Sequence, residues 1–384
     1  MSKKSICFVA TAHYTIEVFL LDQIKKLSEV YNVTVVLKAT DPDFLARRGI
    51  KADVIFVPIE RKISLINDVR ALYFLIKFFR DNSFDLVHSV TPKAGLLAML
   101  ASLFANINIR IHMFTGQVWG SRRGLIRWIL KSTDRITALA ATHVLTDSFT
   151  QRIFLIKERV ISEEKSSVLA CGSISGVDLE RFKPDDILRK EVREKFGIPI
   201  NEIVFLFMAR LTRDKGALVM AEAFSRFVNQ GGDGYLIIVG PDEEELSQMM
   251  NELLGDSLSR VRFEDYTKCP ERFMAAADVF CLPSYREGFG TVLINAAAVG
   301  IPAIASRIYG SEEAIQENVT GLLIEAGNSI ELAEKMLLLS KNSDLRSDLG
   351  TKARQRVEEF FSESTVTDAV LEFYSNVLSD VNHR

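Results

Sequence analysis

A chain of 384 residues, 48% hydrophobic and 25% charged, exceeds one ordinary core and has a two-domain globular make-up, which excludes a disordered or fibrous chain. The formal charge is only −3, yet residues 1–185 hold 26 Lys and Arg against 18 Asp and Glu, while residues 186–384 hold 21 against 32. That asymmetry supports two domains and turns the first toward something anionic, with a membrane surface, nucleic acid and a phosphorylated acceptor all open.

Cys7, Cys171, Cys269 and Cys281 show no CxxC spacing, and His13, His88, His112, His143 and His383 show neither HxH nor HxxxH. No disulfide framework and no metal site is expected. Apolar stretches fall short of the ~18 residues that span a bilayer, and the opening MSKKSICFVATAHY lacks a leader-cleavage pattern, so a cytosolic protein is expected.

In chain order, residues 5–11 (SICFVAT) read as a strand and 16–30 as a helix with Phe19, Leu20, Ile24 and Leu27 on its apolar face. Strands at 33–39 and 53–58 precede a helix at 67–80. A strand at 85–89 (DLVHS), a helix at 93–105, a strand at 110–114 (RIHMF) and a helix at 125–141 follow. A strand at 141–147, a helix at 150–158 and a strand at 168–174 complete this half, and the polar, proline-bearing 176–186 reads as a linker. The second half repeats the alternation, with strands at 203–209, 235–240, 261–264, 277–282 and 302–306. Its helices are expected at 217–230, 243–254, 270–277, 291–299 and 331–340. Alternation of this kind predicts α/β architecture: two doubly wound, mostly parallel sheets.

The stretch 283–302 (PSYREGFGTVLINAAAVGIP) organises the second half. A buried strand, a glycine-bearing turn and an alanine-rich helix put unpaired backbone N–H groups at the mouth of a sheet, which suits an anion or a hydroxyl-rich ligand. Glu287 can accept hydrogen bonds from sugar hydroxyls, and Gly288 and Gly290 flank Phe289 so that the backbone can approach a ligand. After the first strand of this half comes RLTRDKG, which places Arg210 and Lys215 at the carboxyl end of a strand, where they could clamp a diphosphate. Neither GxGxxG nor GxxxxGK[ST] follows the first strand of either half, so dinucleotide and P-loop readings lose their main support. Arg123, Arg127 and Lys131 recur at i, i+4, i+8 in the most basic segment, beside Leu125, Trp128 and Ile129. They are expected to receive an anionic membrane or a lipid-diphosphate acceptor; no nucleic-acid motif accompanies them.

Taken together, ARLTRDKG, VGPDEE and PSYREGFGTVLINAAAVGIP resemble the C-terminal half of the retaining glycosyltransferases of family 4. DLVHSVTPKAGLLAMLAS, IHMFTGQVWGSRRGL and GSISGVDLERFKP resemble its bacterial cell-surface polysaccharide branch, which makes capsule and O-antigen. The resemblance implies a GT-B fold, two Rossmann-like domains facing each other across a cleft: residues 1–180 for the acceptor, 187–361 for the nucleotide-sugar donor, and a helix in 362–384 crossing back. It implies transfer from a nucleotide-sugar, most simply a UDP-sugar, to a polyprenyl-diphosphate-linked glycan, with no metal or other cofactor, at the inner face of the cytoplasmic membrane. Arg210 and Lys215 would neutralise the departing diphosphate, Glu287 would bind the donor sugar, and Gly288, Phe289 and Gly290 would present backbone N–H groups. His112 matches a histidine that relatives use near the reacting sugar; in a second register that position is Thr115. His88, His13 and Thr15 are further candidates to line the site.

Two positions depart from the family pattern. Asn295 stands where the second acid of the E-x7-E motif grips the ribose, and Thr11-Ala12-His13-Tyr14 replaces a glycine pair. A sugar-nucleotide epimerase of the same fold and a non-catalytic nucleotide-sugar-binding protein therefore stay open beside the transferase.

Overall fold

A computed structural model describes residues 3–38, 41–59 and 64–380. Strand β1 (Ser5–Ala12) shows how the first sheet is built. Its side chains alternate, so Ile6, Phe8 and Ala10 enter one core while Cys7 and Val9 enter the other. Apolar residues on both faces are what a central strand of a parallel sheet requires. β2 (Asn32–Lys38), β3 (Ala52–Phe56), β4 (Leu86–Val90), β5 (Ile109–Phe114), β6 (His143–Thr146) and β7 (Ser166–Val168) complete a seven-stranded sheet in the order β3-β2-β1-β4-β5-β6-β7. Every pairing in it is parallel. The crossover helices are α1 (Leu21–Val30), α2 (Leu65–Asp81), α3 (Pro92–Phe104), α4 (Gly124–Ala140) and α5 (Phe149–Lys157). A π-helical turn, Ile16–Leu20, precedes α1, so the helix expected over 16–30 is broken in its first turns.

The second sheet holds β8 (Val204–Met208), β9 (Tyr235–Val239), β10 (Val261–Glu264), β11 (Val279–Leu282), β12 (Ala303–Ser306) and β13 (Gly321–Ile324). Its order is β10-β9-β8-β11-β12-β13, again parallel throughout. Around it lie α6 (Asp186–Lys195), α7 (Ala217–Asn229), α8 (Ser247–Leu254), α9 (Pro270–Ala276), α10 (Thr291–Ala298), α11 (Ser311–Ala314), α12 (Ser329–Lys341) and α13 (Ser343–Phe360). The last helix, α14 (Glu363–Asp380), belongs to the first unit, where Val370, Tyr374, Val377 and Leu378 join the core that holds Ile6 and Phe8.

The chain thus forms two compact units, one of residues up to Gly176 together with α14, the other Val177–Ser362. The division falls at the start of the segment expected to be a linker. Residues after it are already built into the second unit: Val177 N donates to Phe361 O at 2.8 Å, and Phe182 is buried.

Several elements differ from expectation. The strand expected at 168–174 ends at Val168, because Ala170, Gly172 and Ser173 take positive φ. The helix expected at 243–254 begins only at Ser247. There Asp242 accepts from the backbone N–H groups of Leu246 and Ser247 at 2.8 and 2.9 Å, and Glu245 has φ 55°, which keeps 243–246 out of the helix. The helices α6, α11 and α13 and the strand β13 lie where no element was expected. Ala39, expected at the end of the second strand, and His383 lie outside the described residues.

Candidate functional site

In both sheets the strands deliver their carboxyl ends to one edge, and the strand order reverses between β1 and β4 in the first and between β8 and β11 in the second. Ligands of open parallel sheets bind at such reversals. The loops after β8 and β11 therefore meet where the sequence motifs fall.

After β8 the chain runs through Arg210 and a 3-10 turn, Arg213–Lys215, into Gly216 at φ 73°. A Cβ on Gly216 would sit 2.0 Å from the Pro283 carbonyl oxygen, so only glycine lets this loop press on the start of the loop after β11. Tyr285 N donates to Asp214 O at 2.8 Å across the same contact. Gly310 seals the other side, since a Cβ there would come within 2.4 Å of Gly288 O. Packed this way, Lys215 Nζ lies 2.7 and 2.8 Å from the two carboxylate oxygens of Glu287, and Ser284 Oγ donates to Oε1 at 2.8 Å. The side chain of Glu287 is 10% exposed and that of Lys215 21%.

Arg210 lies on the same loop and pairs with Glu243 of the loop after β9, Nη1 to Oε2 at 2.6 Å. Gly290, at φ 76°, opens α10, and Asn295 sits half-buried on that helix, one turn in from Thr291. The Phe289 side chain is buried against Phe361, ring centroids 5.3 Å apart. Its part in the site is to anchor the turn, which leaves only its backbone for a ligand. Sequence reasoning missed three buried hydroxyls near this edge that have no hydrogen-bond partner: Thr212 Oγ1 after β8, Ser306 Oγ at the end of β12, and Ser311 Oγ just beyond it. Among the described residues no cluster of three or more His, Cys, Asp or Glu is placed to hold a metal ion.

The first unit treats its candidates differently. His112, expected beside the reacting sugar, is packed under α3. It is 1% exposed, Nδ1 lies 2.8 Å from Ser89 Oγ, and a Cβ on Gly95 would come 2.2 Å from its ring. Burial, with His88 close by, pushes its pKa down to about 3 against an opposing hydrogen bond from Ser89. That is a packing environment, and it does not offer the imidazole to a sugar. His88 is likewise buried, with Nδ1 against the Tyr374 hydroxyl of α14, and burial lowers its pKa to about 3. His13 packs edge-on to Phe44 at 4.1 Å, with Nδ1 3.7 Å from Glu17, and Thr15 is half-buried next to it. Thr115 lies just past β5, where its carbonyl accepts from Gln117 and Gln151. A group that no motif flagged is Asp147, just past β6: it is buried, Oδ1 has no partner, and burial raises its pKa to about 8.

The basic segment also needs correction. Arg123 precedes the first turn of α4 and is exposed, but Arg127 and Lys131 are turned inward. Both meet the carboxylate of Glu158, Arg127 at 2.8 Å, and both lie over the Trp119 ring, 4.9 and 5.6 Å from its centroid. The face of α4 left to solvent is apolar, with Leu125, Ile126, Trp128 and Ile129 all exposed.

The comparisons agree with this geometry. The family model "Glycosyltransferase Family 4" matches residues 16–181, and "Glycosyl transferases group 1" matches 189–356, so that the two take in most of the chain. The chain is a GT-B glycosyltransferase. It is 28% identical over 326 residues to the capsular polysaccharide biosynthesis glycosyltransferase CapM of Staphylococcus aureus, covering 84% of this chain and 85% of that protein. It is 26% identical over 364 residues to the UDP-Gal:alpha-D-GlcNAc-diphosphoundecaprenol alpha-1,3-galactosyltransferase of Escherichia coli, covering 91% and 90%. Among solved structures, Anabaena Alr3699/HepE in complex with UDP-glucose superposes with a TM-score of 0.81 at 20% identity, over 97% of this chain and 99% of that one. This last likeness shows the fold: two parallel-sheet, Rossmann-like domains.

Proposed function

We propose that the chain transfers a hexose or N-acetylhexosamine from a UDP-sugar to a hydroxyl of a polyprenyl-diphosphate-linked oligosaccharide, with retention at the anomeric carbon and without a metal. The observation that carries this reading is one sheet edge that holds Lys215 against Glu287 and its glycine turn, with Arg210 on the same loop as Lys215. In it, Lys215 and Arg210 take up the charge that develops on the departing diphosphate, a task a divalent cation performs elsewhere. Glu287, held by Ser284, accepts hydrogen bonds from the sugar, and the backbone of Gly288–Gly290 lies against it. Asn295 accepts one ribose hydroxyl, more weakly than an acid would. The bond from the anomeric carbon to the phosphate oxygen breaks with its electron pair leaving on UDP, one to the acceptor oxygen forms, and the acceptor hydroxyl's proton passes to the departing diphosphate oxygen. The printed names of the two relatives, one a capsule enzyme and one acting on a diphosphoundecaprenol acceptor, support the acceptor class.

A lipid-linked acceptor calls for a membrane contact in the first unit. Among the described residues no helix is long and apolar enough to cross a bilayer. Support for a peripheral contact at the inner face comes from α2 and α4, which flank α3. Leu65, Ile66, Val69 and Tyr73 of α2 and Leu125, Ile126, Trp128 and Ile129 of α4 are exposed, beside exposed Arg70, Lys77, Arg122 and Arg123.

The test is a transfer assay in EDTA with UDP-glucose, UDP-galactose and their N-acetylamino forms, offered polyprenyl-diphosphate-linked acceptors in anionic vesicles. The expected product is one sugar heavier with an α anomeric coupling, and Trp128→Asp lowers vesicle binding about tenfold while leaving UDP binding unchanged. A β product would refute retention, an epimerised free donor would point to the epimerase, and undiminished vesicle binding by Trp128→Asp would refute the membrane face.

A further inference from the structure

Two loops of the second unit carry opposite charge and run side by side. β8 and β9 pair in register from Val204↔Tyr235 to Met208↔Val239. The ladder continues past both strands: Leu211 N donates to Pro241 O at 2.9 Å, and Leu211 bridges Asp242. The loop bearing Arg210, Arg213 and Lys215 is thereby held against the one bearing Asp242, Glu243, Glu244 and Glu245. Asp242 is committed to the start of α8, where Leu246 N and Ser247 N donate to it, and Glu244 accepts from Arg213 N at 3.1 Å. Glu243 instead reaches the guanidinium of Arg210, with the two side chains 39% and 42% exposed. On the far side of the cationic loop, Glu287 accepts from Lys215 with both oxygens.

Both cations assigned to the donor diphosphate thus already carry a carboxylate. We propose that Glu243 and Glu287 are internal counter-ions that hold Arg210 and Lys215 in position and are displaced from them by the diphosphate of a nucleoside diphosphate. This rests on the reading above that these two cations bind the donor. An ion pair as exposed as Arg210–Glu243 contributes little to stability and opens readily, yet it keeps a long side chain from wandering before the ligand arrives. A diphosphate brings more charge and more acceptor oxygens than one carboxylate, so it wins the exchange. At Lys215 the exchange does a second thing: Glu287, released from the ammonium but still bonded to Ser284, gains free lone pairs for sugar hydroxyls. With Lys215 on both oxygens and Ser284 on one, three of the roughly four lone-pair sites of Glu287 are taken before the diphosphate arrives, so a sugar without its nucleotide finds that acid mostly occupied.

Calorimetric titration of the full chain with UDP, and with uridine as the phosphate-free control, tests this. Glu243→Gln keeps the shape and removes the charge, and should bind UDP about fivefold tighter with uridine unchanged. Glu287→Gln should also tighten UDP. In an Arg210→Ala background the gain from Glu243→Gln should vanish, as a double-mutant cycle requires. If Glu243 and Glu287 merely brace the loops, the Gln variants will bind UDP as the unmodified protein does or more weakly, and the counter-ion role fails while the donor reading stands. UDP bound by neither the unmodified protein nor any variant would sink the donor reading and this proposal together.

Discussion

Two of the places where this molecule sets cations against carboxylates do opposite things with them. On α4 and its neighbours, Arg127 and Lys131 share the single carboxylate of Glu158 and lie on the Trp119 ring. Trp119 is itself 1% exposed and donates from Nε1 to Asp134 at 2.7 Å. That cluster ties a helix to a core. In the second unit, Arg210 and Lys215 each have a carboxylate of their own, on the loops that end β9 and β11 on either side of β8, with an unpartnered hydroxyl close by in the chain at Thr212. A basic run in a sequence therefore does not say whether its charge is available; the place in the topology does. The same contrast separates His88 and His112, buried in the sheet of the first unit, from the acids and lysines of the second unit's loops.

Three changes would break or sharpen that contrast. The largest effect belongs to the buried histidines. His88 and His112 have folded-state pKa values lowered to about 3, so above pH 6.5 both folded and unfolded chains hold them neutral and stability is full. As pH falls below 6.5 the unfolded chain binds protons that the folded one refuses, and stability drops by up to about 1.4 kcal/mol per pH unit for each histidine until pH approaches 3. Urea midpoints measured from pH 7 to 4 should show a shallower slope in His112→Gln than in the unmodified protein; equal slopes would mean that His112 is open to protonation, as a site residue would be. Next is the charge exchange at Arg210, where the fivefold gain of Glu243→Gln marks an available cation. Smallest is Glu158→Gln, which should lower stability by about 0.5 kcal/mol and leave UDP affinity unchanged, because its two cations serve packing. A loss of UDP binding in that variant would erase the distinction.

Much of the fold was legible because near-continuous apolar runs, such as SICFVAT and IVFLFMA, mark parallel strands buried on both faces. What escaped has physical causes. In α6 only Ile187, Leu188 and Val192 are apolar among ten residues, and its start is set by Asp185, whose carboxylate accepts from Ile187 N and Leu188 N. The helix begins at Asp186, where the expected linker ends, and three apolar residues in ten give only a weak period to read. β13 exists because β12 offers it an edge, a pairing partner that its own four residues, GLLI, do not reveal. For the site, the loop contacts made by Gly216 and Gly310 were not readable, since they depend on which strands lie adjacent. His112 carried a motif-like position, but its environment is decided by Gly95 on the helix above it. Arg127 and Lys131 shared a helical face as the spacing implied; that the face turns onto Trp119 and Glu158 is a matter of packing.

The measurement that bears most directly on the central claim is calorimetric titration of UDP, GDP and ADP, with EDTA present, into the unmodified protein and Lys215→Ala. Removing a charged donor to a phosphate should cost about 1.5–3 kcal/mol, roughly ten- to a hundredfold in affinity. Selective UDP binding that survives chelation and weakens by that factor in Lys215→Ala is the result expected. UDP binding of equal strength in both proteins, or binding that requires a divalent cation, would contradict the assignment of the cationic loop as the donor's diphosphate site.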